Sequence, residues 1–281
     1  MRHGRHGVGG VTLHVVEAGP AEGPAVMLLH GFPELWWGWR RQIDALAEAG
    51  FRVVVPDQRG YNTSDKPDGI AAYRLECLAA DVVRLADALG IGRFGLVGHD
   101  WGGVVAWAVA ALHPTRVDRL VVLNAPHPDT WASAAAHHPS QALRSAYVGL
   151  FQLPLLPEAL LRADGFRALR RSLTGSSRPG TFSAADLDRY AEAWAQPGAL
   201  TAMLNWYRAL RYPRRDALPR IEPETLVIWG VKDRFLERHL AAAAAARCRS
   251  ARVDYRDASH WVQAEDAAAV SAAMVAFLGE D

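Results

Sequence analysis

Short, unbroken apolar runs alternate with helical stretches along this chain, and that alternation restricts the possible folds more than any other feature. Val11–Val16, Ala25–Leu29, Arg52–Val55, Phe94–Val97, Leu120–Leu123, Leu226–Trp229 and Val253–Arg256 read as strands. Val/Leu/Ile runs without polar alternation suit strands covered on both faces. Helical patterns lie between them at Tyr73–Leu89, Trp101–Leu112, Glu237–Ala246 and Ala264–Leu278. Strand and helix in turn predict an α/β fold on a mostly parallel, doubly wound sheet. A chain of 281 residues, half of them hydrophobic, can bury the core such a sheet needs.

The alternation stops between about Pro126 and Pro219. That stretch holds no convincing strand, and its helical patterns fall at Pro139–Phe151, Pro157–Leu173, Ser183–Trp194 and Gly198–Arg211. A helical cap inserted between two sheet strands accounts for it, with 1–125 and 220–281 as the core and 126–219 as the cap. Such a cap would lie over the strands' C-terminal ends, where open α/β sheets place their sites.

Gly95-Leu96-Val97-Gly98-His99-Asp100-Trp101-Gly102-Gly103 carries the strongest local signal. A strand ends, small residues sit two before and two after an acid, and a helix begins. This pattern makes a sharp elbow that exposes its central side chain, with glycines where a Cβ would crowd the turn. Asp100 is also readable as an ordinary helix N-cap. A second turn, His30-Gly31-Phe32-Pro33, follows the strand ending at Leu29, and can aim the N–H groups of Phe32 and Trp101 at a developing oxyanion. Asp233 and then His260 follow two later strands. Nucleophile, acid and histidine thus fall in the order used by α/β-hydrolases. His30 and His99 read as packing beside these turns, and Asp57–Asp65 as a hydrogen-bonded loop.

Several function classes are disfavoured. A formal net charge of +1 with no basic block gives no grip on nucleic acid. No apolar run is long enough to cross a bilayer, and no apolar core follows the basic N-terminus, so the expectation is a cytoplasmic protein without a membrane partner. Cys77 and Cys248 lie outside any metal or redox spacing and read as reduced core thiols. His127, His137 and His138 have no carboxylate at ligand spacing, so no metal site is expected. No phosphate-loop or dinucleotide fingerprint stands in the right context. Ten tryptophans are consistent with an aromatic pocket.

Leu29-His30-Gly31-Phe32-Pro33-Glu34, the elbow, Asn124-Ala125-Pro126-His127 and Leu204-Asn205-Trp206-Tyr207-Arg208 together resemble epoxide hydrolases of the α/β-hydrolase fold, from about residue 11 to 278. The resemblance implies a vicinal diol product, no cofactor, and a small apolar epoxide as substrate. It makes Asp100 the nucleophile, Asp233 and His260 the pair that activates water, and Phe32 and Trp101 the oxyanion donors. It makes Tyr207 a cap hydroxyl, with Tyr147, four residues before Phe151-Gln152, as the second. Both tyrosines also fit a plain packing role. An Asp nucleophile requires an electrophilic sp³ carbon, so haloalkane dehalogenases, which share the elbow and Trp101, are the nearest rival. Those enzymes often carry Asn where this chain has Phe32, and fluoroacetate dehalogenases carry Arg in place of Trp101. A non-catalytic binding protein of this fold is a further alternative. The identity of the epoxide and the oligomeric state are not legible.

Overall fold

The computed structural model describes residues 1–212 and 216–280. Residues 213–215, inside the expected cap, lie outside the described residues.

The strands are β1 (Arg2–Gly7), β2 (Thr12–Ala18), β3 (Ala25–Leu29), β4 (Arg52–Pro56), β5 (Phe94–His99), β6 (Val117–Leu123), β7 (Glu224–Gly230) and β8 (Ala251–Arg256). They form one sheet in the order β1-β2-β4-β3-β5-β6-β7-β8. β1 and β2 run antiparallel to their neighbours, and the remaining pairs are parallel. Helices α1 (Arg40–Glu48), α2 (Leu75–Ala88) and α3 (Trp101–Leu112) follow β3, β4 and β5. Between β6 and β7 come α4 (Pro128–His137), α5 (Pro139–Arg144), α6 (Ala146–Phe151), α7 (Leu156–Ser176), α8 (Ala184–Trp194) and α9 (Ala199–Arg208). α10 (His239–Ala245) follows β7, and α11 (Val262–Glu265) and α12 (Ala267–Leu278) follow β8. This is the α/β-hydrolase architecture.

All six residues of β5 are buried, the consequence of helices on both faces of a parallel sheet. β3 pairs with β4 on one side and β5 on the other, so the winding reverses between β3 and β5. Their C-terminal ends open at that switch point, where such sheets bind ligands. Three elements escaped the sequence reading: β1, α1 and α4, the first helix of the inserted region. β1 is Arg-His-Gly-Arg-His-Gly, an edge strand with little burial, so no apolar periodicity reports it. α1 buries Gln42, Ile43 and Leu46 and keeps a charged outer face. The single C-terminal helix expected at 264–278 begins earlier and breaks at Asp266 into α11 and α12.

In the inserted region, Ser183 caps α8 through a reciprocal box with Asp186. α7 is interrupted where Asp164, Gly165 and Phe166 take left-handed backbone. Cys248 is buried, but Cys77 is partly exposed rather than a core thiol, and both are free.

Candidate active site

The elbow brings strain and crowding to one residue. Asp100 sits at φ +51°, ψ −122°, between β5 and α3. A Cβ on Gly98 would lie 2.3 Å from the Gly102 carbonyl oxygen, and one on Gly102 would lie 2.1 Å from the Leu29 oxygen. Strand, turn and helix can therefore meet only through glycine. Gly31 faces the elbow so closely that a Cβ there would fall 2.4 Å from the Asp100 Cβ.

The Phe32 amide donates to Asp100 Oδ1 at 2.8 Å. The Trp101 amide opens α3, at the end where helix N–H groups have no intrahelical carbonyl. His30 holds the facing turn: Nδ1–H donates to the Gly31 oxygen at 3.0 Å, and Nε2 accepts from the Gln58 amide at 3.1 Å. His99, also buried, donates from Nε2 to the His260 carbonyl at 2.9 Å.

His260 lies with Nε2 3.5 Å from Asp100 Oδ2 and Nδ1 2.7 Å from Asp233 Oδ2. Asp233 is aimed by four donors. The amides of Phe235 and Leu236 reach Oδ1 at 2.8 and 3.0 Å, and Asn124 Nδ2 and His260 share Oδ2 at 2.7 Å each. Burial opposes a charge on Asp100, yet the hydrogen bond and charge of His260, aided by His99 and the Phe32 amide, bring its pKa below the ordinary carboxylate value. Burial likewise opposes a proton on His260, but Asp233 and then Asp100 outweigh it and raise the pKa to about 10. Asp100 retains 18% side-chain exposure, so its carboxylate is not sealed against its neighbours.

Aromatic rings roof this group. The Tyr207 ring stands edge-on to Trp101 at 5.1 Å and to Phe32 at 5.2 Å, and Tyr147 lies 5.9 Å from Tyr207. Phe235 bridges Tyr147 at 6.1 Å and His260 at 5.2 Å. Burial first, and the charge of Asp100 among the further causes, hold both phenols well above the ordinary tyrosine pKa, so both keep their protons. All seven residues singled out from the sequence thus come together at the C-terminal ends of β3, β5, β7 and β8.

A family profile described as "alpha/beta hydrolase fold" matches residues 24–267. The AB hydrolase superfamily protein YfhM of Bacillus subtilis is 45% identical over 96% of this chain and 95% of its own length. Epoxide hydrolase 2 of Caenorhabditis elegans is 37% identical over 96% of this chain and 78% of its own. A solved structure titled as novel epoxide hydrolases from metagenomes of hot environments has a TM-score of 0.89 and 36% identity, covering 100% of this chain and 99% of that one. The chain belongs to the epoxide hydrolases of the α/β-hydrolase fold.

Three sets of residues were missed as site components. Asn124, at φ +39°, bonds Asp233 through Nδ2 and accepts from the Gly230 amide at 2.8 Å. An Asn just past a strand tolerates left-handed backbone, which was the available signal. Arg208 makes a buried ion pair with Glu158, at 2.7 and 2.9 Å, and donates to the carbonyls of Phe151 and Leu153. That clamp ties α9, which carries Tyr207, to the chain around Phe151. Tyr61 is 2% exposed, and its hydroxyl has no hydrogen-bond partner among the described residues. Among those residues, no cluster of three or more His, Cys, Asp or Glu could hold a metal ion.

Proposed function

We propose that this chain hydrolyses epoxides to vicinal diols with Asp100 as the nucleophile. One arrangement carries the reading: a carboxylate at the elbow, with the Phe32 amide 2.8 Å from one oxygen and His260 Nε2 3.5 Å from the other. A serine there would accept an acyl group from its substrate. A carboxylate supplies the acyl group itself and must attack an sp³ carbon that carries a leaving group.

Asp100 attacks one epoxide carbon, the C–O bond breaks, and the freed oxygen takes a proton from Tyr147 or Tyr207. The phenols suit that task because they remain protonated in the apolar roof while an alkoxide forms. The product of this step is an ester on Asp100. His260, oriented by Asp233, then removes a proton from water, whose oxygen adds to the ester carbon. The Phe32 and Trp101 amides hold the resulting oxyanion. The ester C–O bond breaks, the diol leaves with a proton from His260, and the water's second proton, left on the Asp100 carboxyl, returns to the phenolate and restores the starting state. Residues 126–219 serve as the lid that supplies both phenols and shields the ester from bulk water.

Turnover of aryl epoxides and alkyl halides by the wild-type protein, measured side by side, tests the assignment. Diol formation without comparable halide release is expected, and halide release without epoxide turnover would overturn it. His260→Gln should accumulate protein heavier by one substrate mass, because only ester hydrolysis needs a base. Wild-type turnover by that variant would refute the assigned base.

A further inference from the structure

Exposed leucines crowd into one part of the region between β6 and β7: Leu143, Leu150, Leu153, Leu155, Leu156 and Leu160. They lie on α5, on α6, in the turn after it, and on the opening of α7. Single exposed leucines are ordinary on any protein, whereas a contiguous run of them marks an interaction surface. Their neighbours Phe151, Pro157 and Leu161 turn inward and are buried. Those inward residues already anchor the segment, so the outward leucines add nothing to the core.

Leu155 is 81% exposed and sits at φ +63°. Gly or Asn would meet that backbone at lower cost and would hydrate better. A large apolar side chain is held out at the apex despite both penalties.

Exposed charge along α7 is mostly basic: Arg162 on its first part, Arg167 and Arg171 past the interruption, with Asp164 the exposed acid among them. Arg167 pairs with Asp164, while Arg162 and Arg171 have no carboxylate partner among the described residues. Glu158, the acid within the leucine run, is turned inward and bound to Arg208.

We infer that this leucine-rich, arginine-flanked surface docks on an anionic lipid bilayer. Leucines entering the interface and cations at headgroup level are the two contributions such binding needs. A second copy of the chain fits less well, because a twofold contact would set two surfaces with the same arginine excess face to face, and the exposed acid among them, Asp164, is already paired with Arg167. No described helix is long and apolar enough to cross a membrane. The expectation of no membrane partner rested on the lack of a spanning run, which does not bear on a surface that lies on lipid. α6 turns Leu150 outward and packs Tyr147 against the aromatic roof, so docking would set the site beside the phase in which an apolar epoxide dissolves. The docking itself does not depend on that activity.

Cosedimentation of the whole protein with phosphatidylcholine vesicles, with and without phosphatidylglycerol, tests the proposal. The wild type should pellet with the anionic vesicles and be released by high salt. Leu155→Asn with Leu160→Asn should weaken binding by roughly tenfold per leucine, without lowering the melting temperature or the turnover of dissolved epoxide. Arg162→Gln with Arg171→Gln should reduce both binding to anionic vesicles and its salt dependence, a second test should the leucine variant fold poorly. Wild-type protein left in the supernatant with both vesicles would overturn the inference. So would equal, salt-insensitive pelleting with neutral vesicles, or a dimer in light scattering that the leucine variant converts to monomer.

Discussion

His260 stands between two carboxylates, and the proposed chemistry abolishes the charge on one of them. In the free protein Asp233 and Asp100 keep its proton until the pH passes about 10, so the resting histidine is a cation. When Asp100 becomes an ester, its negative charge 3.5 Å from Nε2 disappears. A unit charge at about that distance is worth roughly 4 kcal/mol at an effective dielectric near 20, equivalent to about three pH units. The histidine pKa should therefore fall to about 7 in the intermediate, which makes it a base only once there is an ester to hydrolyse. The two half-reactions should then differ in their pH dependence. Alkylation needs ionised Asp100 and protonated phenols, and both persist from mild acid to mild alkali, so its rate should stay flat between about pH 6 and 9. Ester hydrolysis needs neutral His260, so its rate should fall below about pH 7 and level off above it. Rapid mixing of excess enzyme with an aryl epoxide, quenched into intact-mass analysis across that range, resolves both steps. A hydrolysis rate flat down to pH 5, or one rising only above pH 9, would refute this reasoning.

Other consequences are as direct. Tyr147→Phe and Tyr207→Phe should each slow epoxide opening, and the double variant should lose roughly a hundred- to a thousandfold in single-turnover alkylation while staying folded. Glu158→Gln leaves the Arg208 guanidinium buried without its carboxylate, which should cost roughly 3 kcal/mol in denaturant unfolding; an unchanged midpoint would mean the clamp is dispensable. Tyr61→Phe removes a buried hydroxyl that has no partner among the described residues, so unfolding should need about 1 kcal/mol more; a loss of stability would show that the hydroxyl is paired in solution.

What the sequence reveals follows from where its signals are local. The elbow is legible because its small residues keep a fixed spacing around Asp100, Gly98 against the Gly102 carbonyl and Gly102 against the Leu29 carbonyl, and the buried strands because covered sheets admit little but Val, Leu and Ile. β1 is invisible because an exposed edge strand needs no apolar pattern, and six backbone pairings with β2 hold it instead. Asn124 is hidden for another reason: its bond to Asp233 spans 109 residues, and nothing near either residue records it. The same holds for the clamp between Arg208 and Glu158, whose partners lie 50 residues apart. Tyr207 could be singled out through its Asn-Trp-Tyr-Arg setting. The structure gives that setting physical content: Trp206 Nε1 donates to the Arg59 carbonyl of the core at 3.1 Å, and Arg208 supplies the clamp. Tyr147 has a looser setting, marked only by its distance from Phe151-Gln152, because α6 is six residues long and too short to show a periodic face.

The central claim is that the Asp100 side chain bonds to the substrate. A single turnover with enzyme in excess, run in water enriched in heavy oxygen, tests it most directly. If water attacks the ester carbon, one labelled oxygen enters the Asp100 carboxylate, and peptide mass analysis of the Gly98–Trp101 region will find it there, while the first-formed diol stays unlabelled. Label found in the diol and absent from Asp100 would mean that water attacks the epoxide itself, and the covalent account would fall.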